Sequence, residues 1–276
     1  MASPQTNARP ARITILPVED LPATVIRCLG TFSITIGGRA IDLGALRPRI
    51  GRLLRILAFN AGHPVHREVL TEALWPGIDP AAAGRNLHVA VSTLRRVLET
   101  DLPRASAGSL VSREGDSYRL CLPGDAFVDI RELDAGLAAT RAALVRRDIS
   151  EALREFRRAL ALYVGDILPD EGPSEWIVGE RERRRLEITE VAGSLADALI
   201  HAGWPTEASW VCRRGILVDR YHDPLWRTLA RACELAGDLA ASARARLDYQ
   251  ALLLELGIPP SVGPADQDGL GNVSAF

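Results

Sequence analysis

Residues 83–98, Ala83-Gly-Arg85-Asn86-Leu87-His88-Val89-Ala-Val91-Ser92-Thr93-Leu94-Arg95-Arg96-Val97-Leu98, decide how the chain is understood. At about 100° per residue, Leu87, Val91, Leu94 and Leu98 share one narrow apolar face of a helix. Arg85, Val89, Ser92 and Arg96 point the opposite way, with His88 and Thr93 on the flanks. That outward face has no carboxylate. It carries two guanidiniums, an imidazole and two hydroxyls, groups able to contact phosphates and base edges in a major groove. The same pattern also fits an ordinary amphipathic helix with a solvated Arg face, so the flanking sequence has to decide.

Upstream, Val25–Leu29 and Phe32–Ile36 alternate as strands, Gly37-Gly38 suits a tight turn, and Arg39–Leu43 returns as a third strand. A helix is expected from about Pro48 to Asn60, its core stripe being Ile50, Leu53, Leu54 and Leu57, ended by Ala61-Gly62 and Pro64. A second, His66 to Trp75, is expected to pack through Val69, Leu70 and Leu74. Asp79 can cap the third helix, with Pro80 at its first position. Past Pro103, strands fit Ser109–Ser112 and Ser117–Leu122, with Arg113–Asp116 as a hairpin tip. Three strands, three helices and a closing hairpin, in this order, describe a winged helix-turn-helix with an N-terminal sheet, an α+β fold whose third helix enters the groove.

The second half has the pattern of an all-α, tetratricopeptide-like domain. Ala138 to Leu162, broken near Arg147-Asp148, carries Ala142, Leu153, Phe156, Leu160 and Leu162. Ser174 to Ala202 forms a long helix with Trp176, Leu186, Val191, Leu195 and Leu199. Gly203 and Gly237 stand one tetratricopeptide period apart, and the same shift aligns Leu195 with Leu229, Ala196 with Ala230 and Ala198 with Ala232. Glu151-Ala152 echoes Glu207-Ala208 at a longer spacing that leaves room for an inserted helix around Trp176. A generic helical bundle is the alternative. The expected division is a leader over 1–24, a DNA-binding domain over 25–125, a helical domain over 126–260 and a tail over 261–276.

Composition agrees with two cores. The 276 residues carry a net charge of −2, and every one of the 33 basic residues is Arg. From Val25 to Asp125 there are 13 Arg against 9 acids, whereas from Ala126 to Ile258 there are 18 against 22. The basic part holds the candidate recognition helix. Cys28, Cys121, Cys212 and Cys233 are scattered, without metal-ligand spacing, and fit buried free thiols in a reducing cytosol. No signal peptide or membrane-spanning run is found, which points to a cytoplasmic, nucleoid-associated protein. No Ser/His/Asp cluster, phosphate loop or paired carboxylate set marks an active site, so neither an enzyme nor a cofactor or metal is expected.

The chain resembles the SARP regulators (Streptomyces antibiotic regulatory proteins), which pair an OmpR-type winged helix with a bacterial transcriptional activation domain. The resemblance runs from about Ile26 to Pro260. It is carried by Leu29-Gly30, Gly62-His-Pro-Val65, Glu72-Ala-Leu-Trp75-Pro, the block from Arg85 to Leu98, Tyr118-Arg-Leu120, Trp176…Arg184-Arg-Leu186 and Glu255-Leu-Gly257-Ile-Pro259-Pro. Two departures are Ser117, where the family usually has Gly before the wing Tyr, and Arg55 in an otherwise apolar first helix. The resemblance implies a transcriptional activator without catalytic activity. Such a protein binds direct repeats in promoter DNA as a homodimer or side-by-side protomers, recruits RNA polymerase holoenzyme, and switches on a secondary-metabolite (antibiotic) gene cluster.

On that fold, Arg85, His88 and Ser92 are the leading candidates for base edges, followed by Asn86 and Val89. Thr93, Arg95 and Arg96 are candidates for phosphate, as are Arg49 and Arg52 at the start of the first helix and Arg113 at the wing tip. Glu180–Arg185 is basic at first sight, but i,i+4 pairing makes it a salt-bridged surface. Two other classes stay open: a tetratricopeptide-type scaffold, and a ligand-sensing repressor with Trp176, Trp204, Trp210 and Trp226 around an effector pocket.

Overall fold

The computed structural model describes residues 22–100 and 109–258; most of the leader and the whole of the tail lie outside these. Nine helices and seven short strands are found among the described residues. Strands β1 (Val25–Arg27), β2 (Ser33–Ile36) and β3 (Arg39–Ala40) form an antiparallel meander, with Val25 opposite Thr35 and Thr35 opposite Ala40. Gly37 and Gly38, at φ +57° and +79°, make the β2–β3 turn that a Cβ would strain. Then come α1 (Pro48–Phe59), β4 (Val65–His66), α2 (Arg67–Leu74) and α3 (Pro80–Glu99). The hairpin of β5 (Val111–Glu114) and β6 (Ser117–Leu120) closes the module, with β4 pairing on β6. The turn that Ser117 left open is made by Gly115 at φ +58°, while Ser117 itself pairs with Glu114 and His66.

Two of these strands have no signature in the sequence. Besides β4, there is β7 (Phe127–Val128), which lies parallel to β1 and completes a sheet of order β3-β2-β1-β7. Immediately after it, Asp129 opens α4 (Asp129–Val145), nine residues ahead of the expected start. Its buried carboxylate accepts the backbone N–H groups of Cys28 at 2.8 Å and Leu29 at 2.9 Å. Burial raises the Asp129 carboxyl above its ordinary range, with the N–H bonds pulling against it. Burial also lifts the neighbouring Cys28 thiol, helped by the Asp129 charge.

The helix pair α4/α5 (Ile149–Leu162) turns at Arg147, a non-glycine residue at φ +60°. After α5 the chain returns to β1: Ile167 bridges Leu29, the Leu168 N–H bonds the Cys28 carbonyl at 2.8 Å, and the Gly30 N–H bonds the Asp166 carbonyl at 2.9 Å. A single 3₁₀ turn, Pro169–Glu171, then buries Glu171. Its carboxylate takes Arg52 Nε at 2.8 Å, Arg55 Nε and the Trp176 indole N–H, which explains why a guanidinium interrupts α1. Trp176 also packs edge-on against Phe59, ring centres 6.3 Å apart.

The long helix α6 (Glu175–His201) is followed by α7 (Pro205–Val218), α8 (Asp223–Leu235) and α9 (Leu239–Glu255). By compactness the described residues form two units, one of residues up to 143 with 150–184 and one of 144–149 with 185–258. In the second unit, Gly203 and Gly237 have φ +79° and +80°, and each ends its helix with an N–H one residue later reaching back five residues. Leu195 and Leu229, and Ala196 and Ala230, are buried alike, as the repeat requires. Gly215 of α7 lets α8 approach: a Cβ there would stand 2.6 Å from Leu225 and 3.1 Å from Ala192. Burial of Cys212 in this unit pushes its thiol up to about 12. Trp226 bonds the Arg220 carbonyl and stacks on Tyr249.

Several core assignments are corrected. Val69 is exposed because the eight-residue α2 buries only the i,i+4 pair Leu70 and Leu74. Leu186 and Ala142 fall off the buried stripes of their helices, and Leu162 is half-buried at the last turn of α5. No described helix is long and apolar enough to cross a membrane.

Candidate nucleic-acid interface

Helix α3 begins where Pro80 supplies a helical φ and the Asp79 carboxylate accepts the Ala82 N–H at 2.9 Å. At the other end, Arg39 donates from Nη2 to the Val97 carbonyl at 3.0 Å, placing a cation on the negative end of the helix. Ala83, Leu87, Ala90, Val91, Leu94 and Leu98 are buried and fix the rotation of the helix about its axis. That rotation presents Arg85, Asn86, His88, Val89, Ser92 and Arg96 to solvent. Val89 is 68% exposed, an apolar group among polar ones that suits a thymine methyl.

The wing brings a second set of donors alongside. Arg113 Nη1 lies 3.2 Å from His88 Nε2, which places the imidazole proton on Nδ1 in the neutral ring. Its Nε donates to the Gly115 carbonyl at 2.9 Å, so the tip folds its own guanidinium back toward α3. Asp116 accepts the Arg67 backbone N–H at 2.8 Å through its carbonyl, and its carboxylate lies 3.4 Å from Arg67 and 3.8 Å from Arg113. Arg67, Arg85, His88 and Arg113 together line an open cleft of about 700 Å³ between α2, the start of α3 and the wing. Arg67 was missing from the sequence-derived set. Only the two-residue strand β4 brings it to the wing, and no periodicity reveals a strand that short.

Other expected contacts have partners within the fold. Arg95 is half-buried and donates from Nε to the Val111 carbonyl at 2.8 Å, tying α3 to the base of the wing. Thr93 gives its hydroxyl to the Val89 carbonyl one turn back, at 2.9 Å. Arg52 is held by Glu171, and Arg49 lies over the Trp75 ring at 5.9 Å. Each of the four thus touches a carbonyl, carboxylate or π-face within the fold, while Arg49 stays exposed to solvent. Arg85 and Arg96 carry no ion pair among the described residues. Nor does any group of three or more His, Cys, Asp or Glu there gather to hold a metal ion.

Two family descriptions match consecutive stretches. Residues 43–120 match "Transcriptional regulatory protein, C terminal", and residues 128–263 match "Bacterial transcriptional activator domain". The first takes in α1 through the wing, and the second begins at β7. The chain belongs to the SARP family of transcriptional regulators. It is 27% identical over 220 residues to the transcriptional regulatory protein MoaR1 of Mycobacterium tuberculosis, covering 79% of this SARP chain and 69% of that protein. To the regulatory protein DnrI of Streptomyces peucetius it is 27% identical over 248 residues, covering 86% and 87%. A solved structure of Mycobacterium tuberculosis EmbR, in complex with a low-affinity phosphopeptide, superposes with a TM-score of 0.68 at 24% identity, covering 88% of this chain and 62% of that one. That likeness supports the winged helix followed by helices as the fold. The relatives are regulators and not enzymes.

Proposed function

We propose that this SARP protein is a sequence-specific DNA-binding activator that reads promoter direct repeats with α3. On this reading it recruits RNA polymerase and controls a secondary-metabolite gene cluster. The carrying observation is the carboxylate-free outer face of α3, exposed from Arg85 to Arg96 and flanked by Arg67 and Arg113. A helix whose N-terminal half is exposed and basic, beside a basic hairpin, matches the way winged helices dock in a major groove. Arg85, Asn86, His88, Val89 and Ser92 are assigned to base edges, and Arg96, Arg67 and Arg113 to phosphates. The likeness to the regulatory protein DnrI over 86% of this chain supports the regulator reading.

The test is binding of the purified chain to fragments of its own gene neighbourhood at two salt concentrations, beside Arg85→Ala. Expected is tight binding to one intergenic fragment with repeated protection. The variant should lose about 1–3 kcal/mol and discriminate less at one base position. Weak, salt-sensitive binding to every fragment alike would refute the assignment of readout to α3.

A further inference from the structure

One edge of α3 is joined to the wing at successive levels. Glu99 accepts the Leu110 N–H at 3.1 Å and the Ser109 hydroxyl at 3.0 Å, and Arg95 Nε donates to the Val111 carbonyl at 2.8 Å. Two turns nearer the start of the helix, His88 Nε2 meets Arg113 Nη1 at 3.2 Å. Spacing sets this pattern. Residues 88, 92, 95 and 99 follow one edge of a helix, and residues 111 and 113 share one face of a strand. Val111 is fully buried and fixes which face of β5 turns inward, so Arg113 lies on that face, while Glu114 and Arg119 pair on the other. The Arg67 N–H, bonded to the Asp116 carbonyl at 2.8 Å, holds the tip against α2. The lower contacts fasten the base of the wing. The contact at its tip stands on the exposed side of α3.

A guanidinium carries five N–H donors and no lone pair, so the His88 nitrogen that meets it supplies the acceptor. The ring proton then sits on Nδ1, since the bond made by one ring nitrogen decides the state of the other. His88 is exposed, and its Nδ1 has no partner among the described residues. We propose that Arg113 is a positioning residue for DNA readout, holding His88 as a neutral ring that offers the groove an N–H and no acceptor. The proposal deepens the reading of α3 as the recognition helix and rests on it. Such a ring suits guanine N7 or O6, adenine N7 or thymine O4, and turns away the N4 amino group of cytosine. Without Arg113 the imidazole can present either a donor or a lone pair, and so distinguishes these bases less. Arg113 keeps donors to spare. Its Nε bonds the Gly115 carbonyl at 2.9 Å and Nη1 meets His88, while Nη2 lies 3.8 Å from Asp116. Contact with a phosphate through Nη2 is compatible with holding His88.

The first test needs no DNA. Nitrogen NMR of the full chain, labelled in its imidazoles, separates a protonated ring nitrogen from one with a lone pair. At about pH 8 ordinary imidazoles are neutral, and the His88 signals are those that vanish in His88→Ala. Expected is an Nδ1–H ring at His88, with His66, whose Nδ1 accepts the Glu68 N–H at 3.4 Å, as the opposite case. In Arg113→Ala, His88 should become a mixture of both tautomers. An Nε2–H ring at His88 in the wild-type chain, or an Nδ1–H ring unchanged in Arg113→Ala, would overturn the proposal whatever the chain does with DNA. The second test exchanges guanine for cytosine at the operator position that His88→Ala ceases to discriminate. Arg113→Ala should reduce that preference about 3–10-fold, the worth of one hydrogen bond. In a His88→Ala background it should weaken binding to every sequence alike. An equal loss for all sequences in the single variant would leave Arg113 a phosphate contact only. An Nδ1–H ring in a chain that selects no DNA would refute the DNA-binding reading, and the readout role with it.

Discussion

Asp116 stands at the wing tip between two guanidiniums that the DNA-binding reading assigns to phosphates. On that reading its carboxylate takes the place of a phosphate oxygen, 3.4 Å from Arg67 and 3.8 Å from Arg113. All three side chains are about half exposed, so the pairs add little to stability but do compete with DNA. Asp116→Asn keeps the backbone carbonyl that holds the Arg67 N–H and removes only the charge. It should tighten binding about 3–10-fold for all sequences alike at low salt, with the gain fading as salt screens it. Unchanged affinity in a filter-binding titration would mean that Arg67 and Arg113 do not meet phosphate. The thiols allow a second check on single residues. Cys28, Cys212 and Cys233 are buried and only Cys121 is half-exposed, with burial holding Cys28 and Cys212 protonated. Iodoacetamide at mildly alkaline pH should therefore label one thiol in the folded chain and all four in urea, counted by mass. Rapid labelling of a second thiol in the folded chain would show that one of the buried sites opens.

At the scale of elements, α4 is fixed at both ends of its first two turns by contacts that tolerate little change. A Cβ on Gly136 would stand 2.7 Å from the Cβ of Ala159 on α5, a side chain with no rotamer to yield. Gly136→Ala should cost about 1–3 kcal/mol through overpacking, despite the better helix propensity of alanine. A neutral or stabilised variant in urea unfolding would show that the two helices can part freely. Asp129 makes a pH-dependent contribution of known sign. Its folded carboxyl sits above the ordinary value, so the folded state binds the proton more tightly than the unfolded chain. That stability is present below the ordinary carboxylate pKa, about 4, and is lost as pH rises through the raised value. The stability gap between the wild-type chain and Asp129→Asn should narrow from about pH 4 toward neutrality. A gap that widens would mean that the Cys28 and Leu29 N–H bonds outweigh burial. These elements also separate what periodicity shows from what it hides. The α3 face, its Asp79-Pro80 start and the Gly203/Gly237 repeat were legible because each rests on local backbone chemistry or a 3.6-residue stripe. Strands β4 and β7 were not, since two residues cannot alternate. Glu171 was hidden as well: only the tertiary return of the chain to α1 explains Arg52 and Arg55.

For the whole molecule, composition changes sign at residue 125, but the fold of the first unit does not stop there. Strand β1 ends on two N–H groups that only Asp129 accepts, and its outer edge is covered by β7. The segment Asp166–Leu168 pairs with residues 28–30, and Glu171 neutralises two guanidiniums of α1. A fragment ending at residue 125 would expose all of these at once. Each buried N–H left without an acceptor costs about 1–3 kcal/mol, and the uncovered β1 edge adds to that. Small domains retain only about 5–15 kcal/mol in total, so several such losses together remove most of the margin. Residues 22–125 alone should therefore unfold over a broad, shallow urea range and bind an apolar dye. Residues 22–184, which restore Asp129, β7, the 166–168 segment and Glu171, should unfold in one steep transition. If the shorter fragment unfolds as steeply and at the same midpoint, the winged helix is self-sufficient and the contacts of Asp129 and Glu171 merely decorate it. If it does not, the winged-helix half of this SARP regulator includes the first helices of the region matched as activator domain.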